Sequence, residues 1–451
     1  MSNCAALDRL MSLGAELHTP PGQPRRKFDL AHMRTLVAAL GNPEQQFPSV
    51  LIAGTNGKGS TAATLASILS AAGYTTGLYT SPHLSTVNER IRIALGHGLS
   101  AAIEDEMLFE QLARVEAAAA SLVGAGALPG PPSFFETMTA IAMLAFAAQP
   151  VDIAVLEVGM GGRLDATNVV EPLLSIITDI SLDHTEWLGS TIAEIAHEKA
   201  GILRKNGTMI TLPQHPEANQ ALGEVAVALN VCGVNAADYL PGRQGSGAGE
   251  NRYELAGWPG SVGKVILVDS PLRGQHQQRN IALAIAAALS LSNTHGYTIQ
   301  VCHIEQGIRE TQWPGRLELL PAKPARPSVL LDVAHNPAGA WTLRAAVGQL
   351  AFGGPRLLIF GCMRDKALGE MAQILFPIFD QVFLTALPSP RAASTMELAE
   401  AAERTGASCS EHLDPEAALD AAIRSAGVKP DALIVACGSV VLIGALRSLL
   451  P

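Results

Sequence analysis

Cysteine is scarce and scattered in this 451-residue sequence. The six residues Cys4, Cys232, Cys302, Cys362, Cys409 and Cys437 stand far apart and form no C-x-x-C pair. That spacing excludes a disulfide framework or a cysteine zinc site and fits reduced core residues. A basic segment followed by an apolar block is missing from Met1 to Arg9, so no secretory signal is read there. Long apolar runs are missing as well: the richest, Ala140 to Ala148 and Leu433 to Leu446, are too short to span a bilayer. Positive charge is in deficit, with 31 Lys and Arg against 41 Asp and Glu for a net charge of −10. No global field therefore draws the chain onto nucleic acid or anionic lipid. The 42 Gly and 28 Pro follow no period, which excludes collagen, and no solenoid repeat is visible. These absences lead to the expectation of a soluble, cytoplasmic chain with no nucleic-acid or membrane partner.

What the sequence does have is material for cores: 48% of residues are hydrophobic and only 16% charged. The length fits two or three domains. Short β-rich apolar runs alternate with helical ones almost throughout. Strands are predicted at Ser49 to Ala53, Gly77 to Thr80, Ile153 to Val158, Leu174 to Thr178 and Thr208 to Leu212. Helices are predicted over Lys58 to Ala72, Glu104 to Leu122, Phe134 to Ala148 and Ile192 to Leu203. Continuous apolar strands alternating with helices argue for a mainly parallel sheet covered on both faces. The Gly-rich stretch Gly242 to Gly263 reads as loop or irregular β structure, followed by a helix from Gln275 to Leu291. Thr311-Gln312-Trp313-Pro314-Gly315-Arg316 reads as a hinge, because Pro-Gly breaks both helix and strand. Beyond it a second α/β series opens, with strands at Ser328 to Val333, Leu357 to Phe360, Gln381 to Thr385 and Leu433 to Ala436. The expected fold is α/β: a larger domain over residues 1–310 and a smaller α/β domain over 311–451.

Chemistry gathers where strands end. Gly54-Thr55-Asn56-Gly57-Lys58-Gly59-Ser60-Thr61 follows one buried strand and opens a helix. Glycines there let backbone N–H groups curl around oxyanions, the helix N-terminus adds positive potential, and Lys58 can reach a terminal phosphate. Ser60 or Thr61 would supply a hydroxyl to phosphate or Mg²⁺. The match to G-x-x-x-x-G-K-[ST] is imperfect, with Ile52 at the first glycine and Gly59 after the lysine. Three further clusters also follow strands: Ser81-Pro82-His83-Leu84, Glu157 with the Gly-rich run to Asn168, and Asp183-His184. A hydroxyl, a carboxylate and an imidazole delivered to one crest beside a phosphate loop can hold Mg²⁺, with the imidazole of His184 the least orthodox ligand. Lys199 reads only as a helix lysine.

This ordered set resembles the Mur ligase superfamily, and more narrowly its folylpolyglutamate synthase and dihydrofolate synthase branch. The likeness continues through His276-Gln277-Gln278-Arg279-Asn280, Pro314-Gly315-Arg316, Asp332-Val333-Ala334-His335-Asn336-Pro337 and Cys437-Gly438-Ser439. It implies an ATP-dependent amide ligase whose C-terminal domain is Rossmann-like, with ATP bound by Gly57, Lys58, Gly59, Ser60, Asn280, Arg316 and Asp332. Mg²⁺ would be held by Ser81, Glu157 and His184. Lys199 matches a lysine carbamylated in the superfamily, which would help hold a second Mg²⁺. Lys58, Lys199 and His335 are the expected catalytic residues, with His335 and Ser439 near the incoming L-glutamate. Phe28-Asp29-Leu30 and Ser133-Phe134-Phe135-Glu136 occupy positions that bind pteroate in the bacterial enzymes, and Leu164, Asp165 and Ala166 are expected on the same substrate side. Only 53 residues precede Gly54, too few for the UDP-sugar domain of the muramyl ligases. The expectation is a monomer that uses dihydropteroate and reduced folates. The alternatives are polyglutamylation alone, or a P-loop NTPase that ligates nothing.

Overall fold

The computed structural model describes residues 3–13, 29–242, 250–261, 263–427 and 431–450. Among them, the first sheet is built from β1 (Ser49–Ala53), β2 (Thr76–Tyr79), β3 (Ile91–Ala94), β4 (Ala101–Ala102), β5 (Ile153–Glu157), β6 (Leu174–Ile177), β7 (Thr208–Thr211) and β8 (Cys232–Asn235). Their order is β4-β3-β2-β5-β1-β6-β7-β8, parallel except for the antiparallel pairs β2–β3 and β3–β4. The central strand shows why a continuous apolar run is needed. Leu51 and Ala53 face the helices Phe134–Ala148 and Ile192–Ala200, whereas Val50 and Ile52 face Lys58–Ala71 and His276–Thr294. Every residue of β1 is buried, as a strand covered on both faces requires.

An antiparallel hairpin, β9 (Asn251–Ala256) and β10 (Val265–Ser270), follows. Tyr253, Leu255, Ile266 and Val268 point inward at alternate positions, and the Leu267 N–H donates to Glu305 on the helix Val301–Glu310 (2.8 Å). Strand β9 lies inside the Gly-rich stretch read as loop or irregular β structure, and its partner β10 begins just after that stretch ends. Residues 243–249 and 262 lie outside the described residues.

The second sheet contains β11 (Glu318–Leu320), β12 (Ser328–Leu331), β13 (Arg356–Phe360), β14 (Gln381–Thr385), β15 (Cys409–His412) and β16 (Leu433–Cys437), in the order β11-β12-β16-β13-β14-β15. Only β11 pairs antiparallel, with Glu318 opposite Leu331. Leu330, Leu358 and Val435 pack towards one helical layer, and Val329, Leu331 and Ile434 towards the other. The chain is thus a mixed α/β protein with two mainly parallel sheets, the second Rossmann-like. The carboxyl ends of β1, β2, β5 and β6 face the loop after β12 across one cleft. No described helix is long and apolar enough to cross a membrane.

Candidate active site

The phosphate loop leaves β1 and is braced by the loop after β6. Thr55 N–H donates to the Asp179 carbonyl (2.8 Å), the Thr55 hydroxyl to the Ser181 carbonyl (3.1 Å), and Asn56 Nδ2 to the Ser181 hydroxyl (3.2 Å). Arg279 holds the Asp179 carboxylate in turn. A Cβ on Gly54 would sit 1.8 Å from Thr178 Oγ1, and one on Gly57, at φ +90°, would lie 2.2 Å from Asn280 Oδ1. The backbone therefore curls in a way side chains forbid, leaving room for an oxyanion at the start of the helix Lys58–Ala71. Lys58 Nζ donates to the Gly54 and Thr55 carbonyls at 3.2 and 3.3 Å, folded back over the loop. Ser60 lines the cleft; Thr61 is fully buried and does not line it, so Ser60 is the hydroxyl on offer.

Lys199 is the surprise of this crest. Its ammonium group is buried and donates to the Gly54 carbonyl at 2.7 Å. Burial, followed by repulsion from Lys58, lowers its pKa to about 7. Glu157, at the end of β5, is buried and accepts from the Ser81 N–H (3.1 Å). Burial raises its pKa despite the opposing charge of Lys58. A desolvated carboxylate of this kind is stabilised by an added cation. Ser81, Glu157, His184 and Lys199 all line the same cleft, of ≈ 390 Å³. Among the described residues no three or more His, Cys, Asp or Glu gather as a metal site, so a cation here would also need hydroxyl and phosphate oxygens. His184 occupies the left-handed region (φ 50°), an unusual conformation for a non-glycine residue. Burial lowers its pKa to about 4, which leaves a neutral imidazole.

The second lobe closes the cleft with Arg316, Asp332, His335 and Asn336. Asp332 accepts from the Leu317 and Ala334 N–H groups (2.9 and 2.8 Å). His335 Nδ1–H donates to the Val333 carbonyl (2.9 Å), an assignment that leaves Nε2 as an acceptor. The lobes are joined at Asp183. Lys366 Nζ lies 2.9 Å from its Oδ1, and Asn336 Nδ2 donates both to Oδ2 (3.2 Å) and to Asn56 of the phosphate loop (3.1 Å). Burial would raise the Asp183 pKa, but His184, Lys366 and His335 hold it well below the usual carboxylate range.

A second cavity of ≈ 110 Å³ adjoins the first and shares Met160, Gly161 and Leu188 with it. Asp29, Leu30, Ser133, Phe135, Glu136, Leu164, Asp165 and Ala166 line it. Asp165 is buried and accepts from Met160 N (2.9 Å), Thr167 N (3.0 Å) and the Thr167 hydroxyl (2.6 Å). It thereby ties the Gly-rich loop into the wall between the cavities.

Two family models match the chain: the Mur ligase middle domain over residues 52–288, and the Mur ligase glutamate ligase domain over residues 315–440. The dihydrofolate synthase/folylpolyglutamate synthase of Bacillus subtilis is 36% identical over 404 residues, covering 86% of this chain and 88% of that protein. The chain belongs to the Mur ligase family. Among solved structures, Mycobacterium tuberculosis folylpolyglutamate synthase complexed with ADP aligns with a TM-score of 0.85 at 32% identity, covering 100% of this Mur ligase and 99% of the other chain. Escherichia coli FolC in complex with DHPP and ADP aligns at 0.82 and 28% identity, covering 100% and 97%.

Two expected substrate residues of this Mur ligase lie elsewhere. Phe134 does not line the second cavity; its ring lies under the Arg90 guanidinium (5.0 Å to the centroid), while Phe135 takes the inward position. Ser439 caps the helix Val440–Leu449, accepting from Val441 N (3.1 Å), and lines neither cavity. Ser133 and Glu136 face the second cavity and also form a capping box for the helix Phe134–Ala148. Phe28 lies outside the described residues. Sequence reasoning missed Lys366 altogether and gave Asp183 no role of its own. Lys366 sits in an unremarkable loop after β13, so only the approach of the lobes reveals it.

Proposed function

We propose that this Mur ligase is an ATP-dependent enzyme joining L-glutamate, by an amide bond, to 7,8-dihydropteroate and to reduced folates. The observation that carries this reading is the shared wall of Met160, Gly161 and Leu188, which sets the second cavity against the end of the phosphate-loop cleft. An acid in the second cavity would present its carboxylate to the terminal phosphate of ATP. A carboxylate oxygen attacks the γ-phosphorus, ADP leaves, and an acyl phosphate forms. The glutamate nitrogen then attacks the acyl carbon, loses its proton and expels phosphate. Inorganic phosphate thus departs with one oxygen from the acid.

Lys58 and Arg316 would spread positive charge over the transferring phosphoryl group, and Gly57, Gly59, Ser60, Asn280 and Asp332 would complete the nucleotide site. His335, neutral because burial lowers its pKa, offers Nε2 to the incoming amine. Ser81, Glu157 and His184 are the residues that would hold Mg²⁺, which supplies charge to phosphate oxygens when bound. Lys199 has the character a carbamate needs: a buried amine whose pKa, lowered to about 7 by burial, leaves a substantial unprotonated fraction at neutral pH. Addition of CO₂ would release a proton and create an anion for a second Mg²⁺. The lobes would divide at 310/311, and the chain would act as a cytoplasmic monomer.

The test is an assay of ADP release with glutamate, comparing dihydropteroate with tetrahydrofolate. Turnover with both supports the full reading, and turnover with one restricts it to that acceptor. ATP hydrolysis indifferent to both acids rejects ligation. Labelling the acid carboxylate with ¹⁸O should send one labelled oxygen into phosphate.

A further inference from the structure

The phosphate loop departs from the usual pattern at Gly59, and the fold gives the reason. A Cβ on Gly59 would lie 2.7 Å from Trp313 Cζ2, 3.1 Å from Cε2 and 3.2 Å from Nε1. The indole of the interlobe linker thus fills the space a side chain at position 59 would take. The Arg92 guanidinium lies over the ring, 5.7 Å from its centroid. The indole Nε1 is buried without a hydrogen-bond partner. Leaving such a donor unpaired is unfavourable, so the ring is held in place by packing.

The linker is fixed on both sides of this contact. Before it, the helix Val301–Glu310 presses Gly307 against Ile68 of the phosphate-loop helix: a Cβ on Gly307 would lie 2.4 Å from Ile68 Cα, and the Ser67 hydroxyl donates to the Gly307 carbonyl (2.7 Å). After it, Gly315 turns at φ +72° and accepts from Val333 N–H of the second lobe (3.0 Å). The next residue, Arg316, enters the nucleotide cleft. Trp313 therefore stands between the first turn of the phosphate-loop helix and the arginine that the second lobe contributes.

We propose that Trp313 is a positioning residue: its indole, wedged on Gly59, fixes the linker against the phosphate loop so that Arg316 meets the nucleotide bound there. The inference rests on the reading of this cleft as an ATP site. Its chemistry is steric, so ring size and not polarity should govern it. Trp313→Ala leaves a void beside Gly59 and frees the linker, whereas Trp313→Phe keeps a ring there. Gly59→Ala drives a methyl group into the indole from the opposite side, and Trp313→Leu should relieve that clash.

The experiment measures ATP affinity by calorimetry, and KM for ATP and kcat for ligation, in the full-length wild type, the single variants and the double variant Gly59→Ala/Trp313→Leu. Thermal melting confirms that each is folded. Trp313→Ala is expected to lose about 10- to 100-fold in kcat/KM for ATP, the scale of a misplacement near 1 Å. Trp313→Phe should stay within about threefold of wild type, and the double variant should exceed Gly59→Ala alone, a departure from additivity that marks direct contact. Wild-type values in a folded Trp313→Ala, or losses that simply multiply in the double variant, would overturn the proposal. If Trp313→Ala does not fold, the Phe and double variants decide alone. Because calorimetry reads nucleotide binding without ligation, a wild type that binds ATP but joins no glutamate would sink the ligase reading and leave this coupling measurable.

Discussion

At the scale of single residues, environment rather than identity sets the chemistry. Lys58 and Lys199 both donate to the Gly54 carbonyl, and the burial of Lys199 there lowers its pKa to about 7. Lys58→Ala is expected to abolish ligation while the fold survives, because the loop it covers is braced by backbone bonds to Asp179. Lys199→Ala should also be inactive but partly recover with a short added carboxylic acid, since a diffusible anion can stand where a carbamate would. Mass spectrometry of the intact protein under CO₂ checks the same point; an unmodified lysine with an active alanine variant would dismiss it. Asp165 accepts three hydrogen bonds inside the wall between the cavities. Its replacement by Ala should cost about 1–3 kcal/mol of stability and raise KM for the acid more than for ATP. Equal losses for both substrates would place Asp165 on the nucleotide side instead.

Among the elements, strand β1 and the loop after it were the easiest to read, because burial on two faces demands an unbroken apolar run and a phosphate cradle demands glycine. The short antiparallel β3 was not read: Ile91-Arg92-Ile93-Ala94 is too brief for its alternation to stand out. The hairpin β9–β10 did carry a signal, Tyr253 and Leu255 facing Ile266 and Val268, but the surrounding glycines obscured it. Helix ends are stabilised by caps, and one is open to a pH test. At Ser394, the start of the helix Thr395–Glu403, hydrogen bonds from the Ser394 backbone and hydroxyl, joined by Arg364, hold Glu397 at about 2 against an ordinary 4.5. A depressed carboxylate contributes stability that is present above its unfolded value and lost as pH falls through the folded one. Glu397→Gln should therefore flatten the acid limb of thermal stability between these values. An unchanged melting profile against pH would remove the cap from that role.

For the molecule as a whole, the decisive feature is that two sheets point their carboxyl ends at each other. Asp183 and Lys366, each with a side chain only 10% exposed, join the lobes at that seam. Breaking such a pair by removing one partner costs about 3–5 kcal/mol in a buried setting. Lys366→Met should thus loosen closure: a larger radius of gyration by small-angle X-ray scattering, and ligation reduced tenfold or more while ATP still binds. An unchanged scattering curve with full turnover would show that the seam does not depend on this pair. Asn336, bridging Asp183 to Asn56, ties the same seam to the phosphate loop.

What could be read from the chain alone is local: buried strands, the glycine cradle, and the order of motifs that marks the family. Strand burial and loop curvature depend on neighbours a few residues away, so they leave a pattern in the chain. It took the folded chain to reveal which of two adjacent phenylalanines faces a cavity, that Ser439 serves as a cap, that Lys199 is stripped of water, and that Lys366 and Trp313 reach the first lobe. Those outcomes depend on packing between segments far apart in sequence, where desolvation and direct contact are set by what folds alongside.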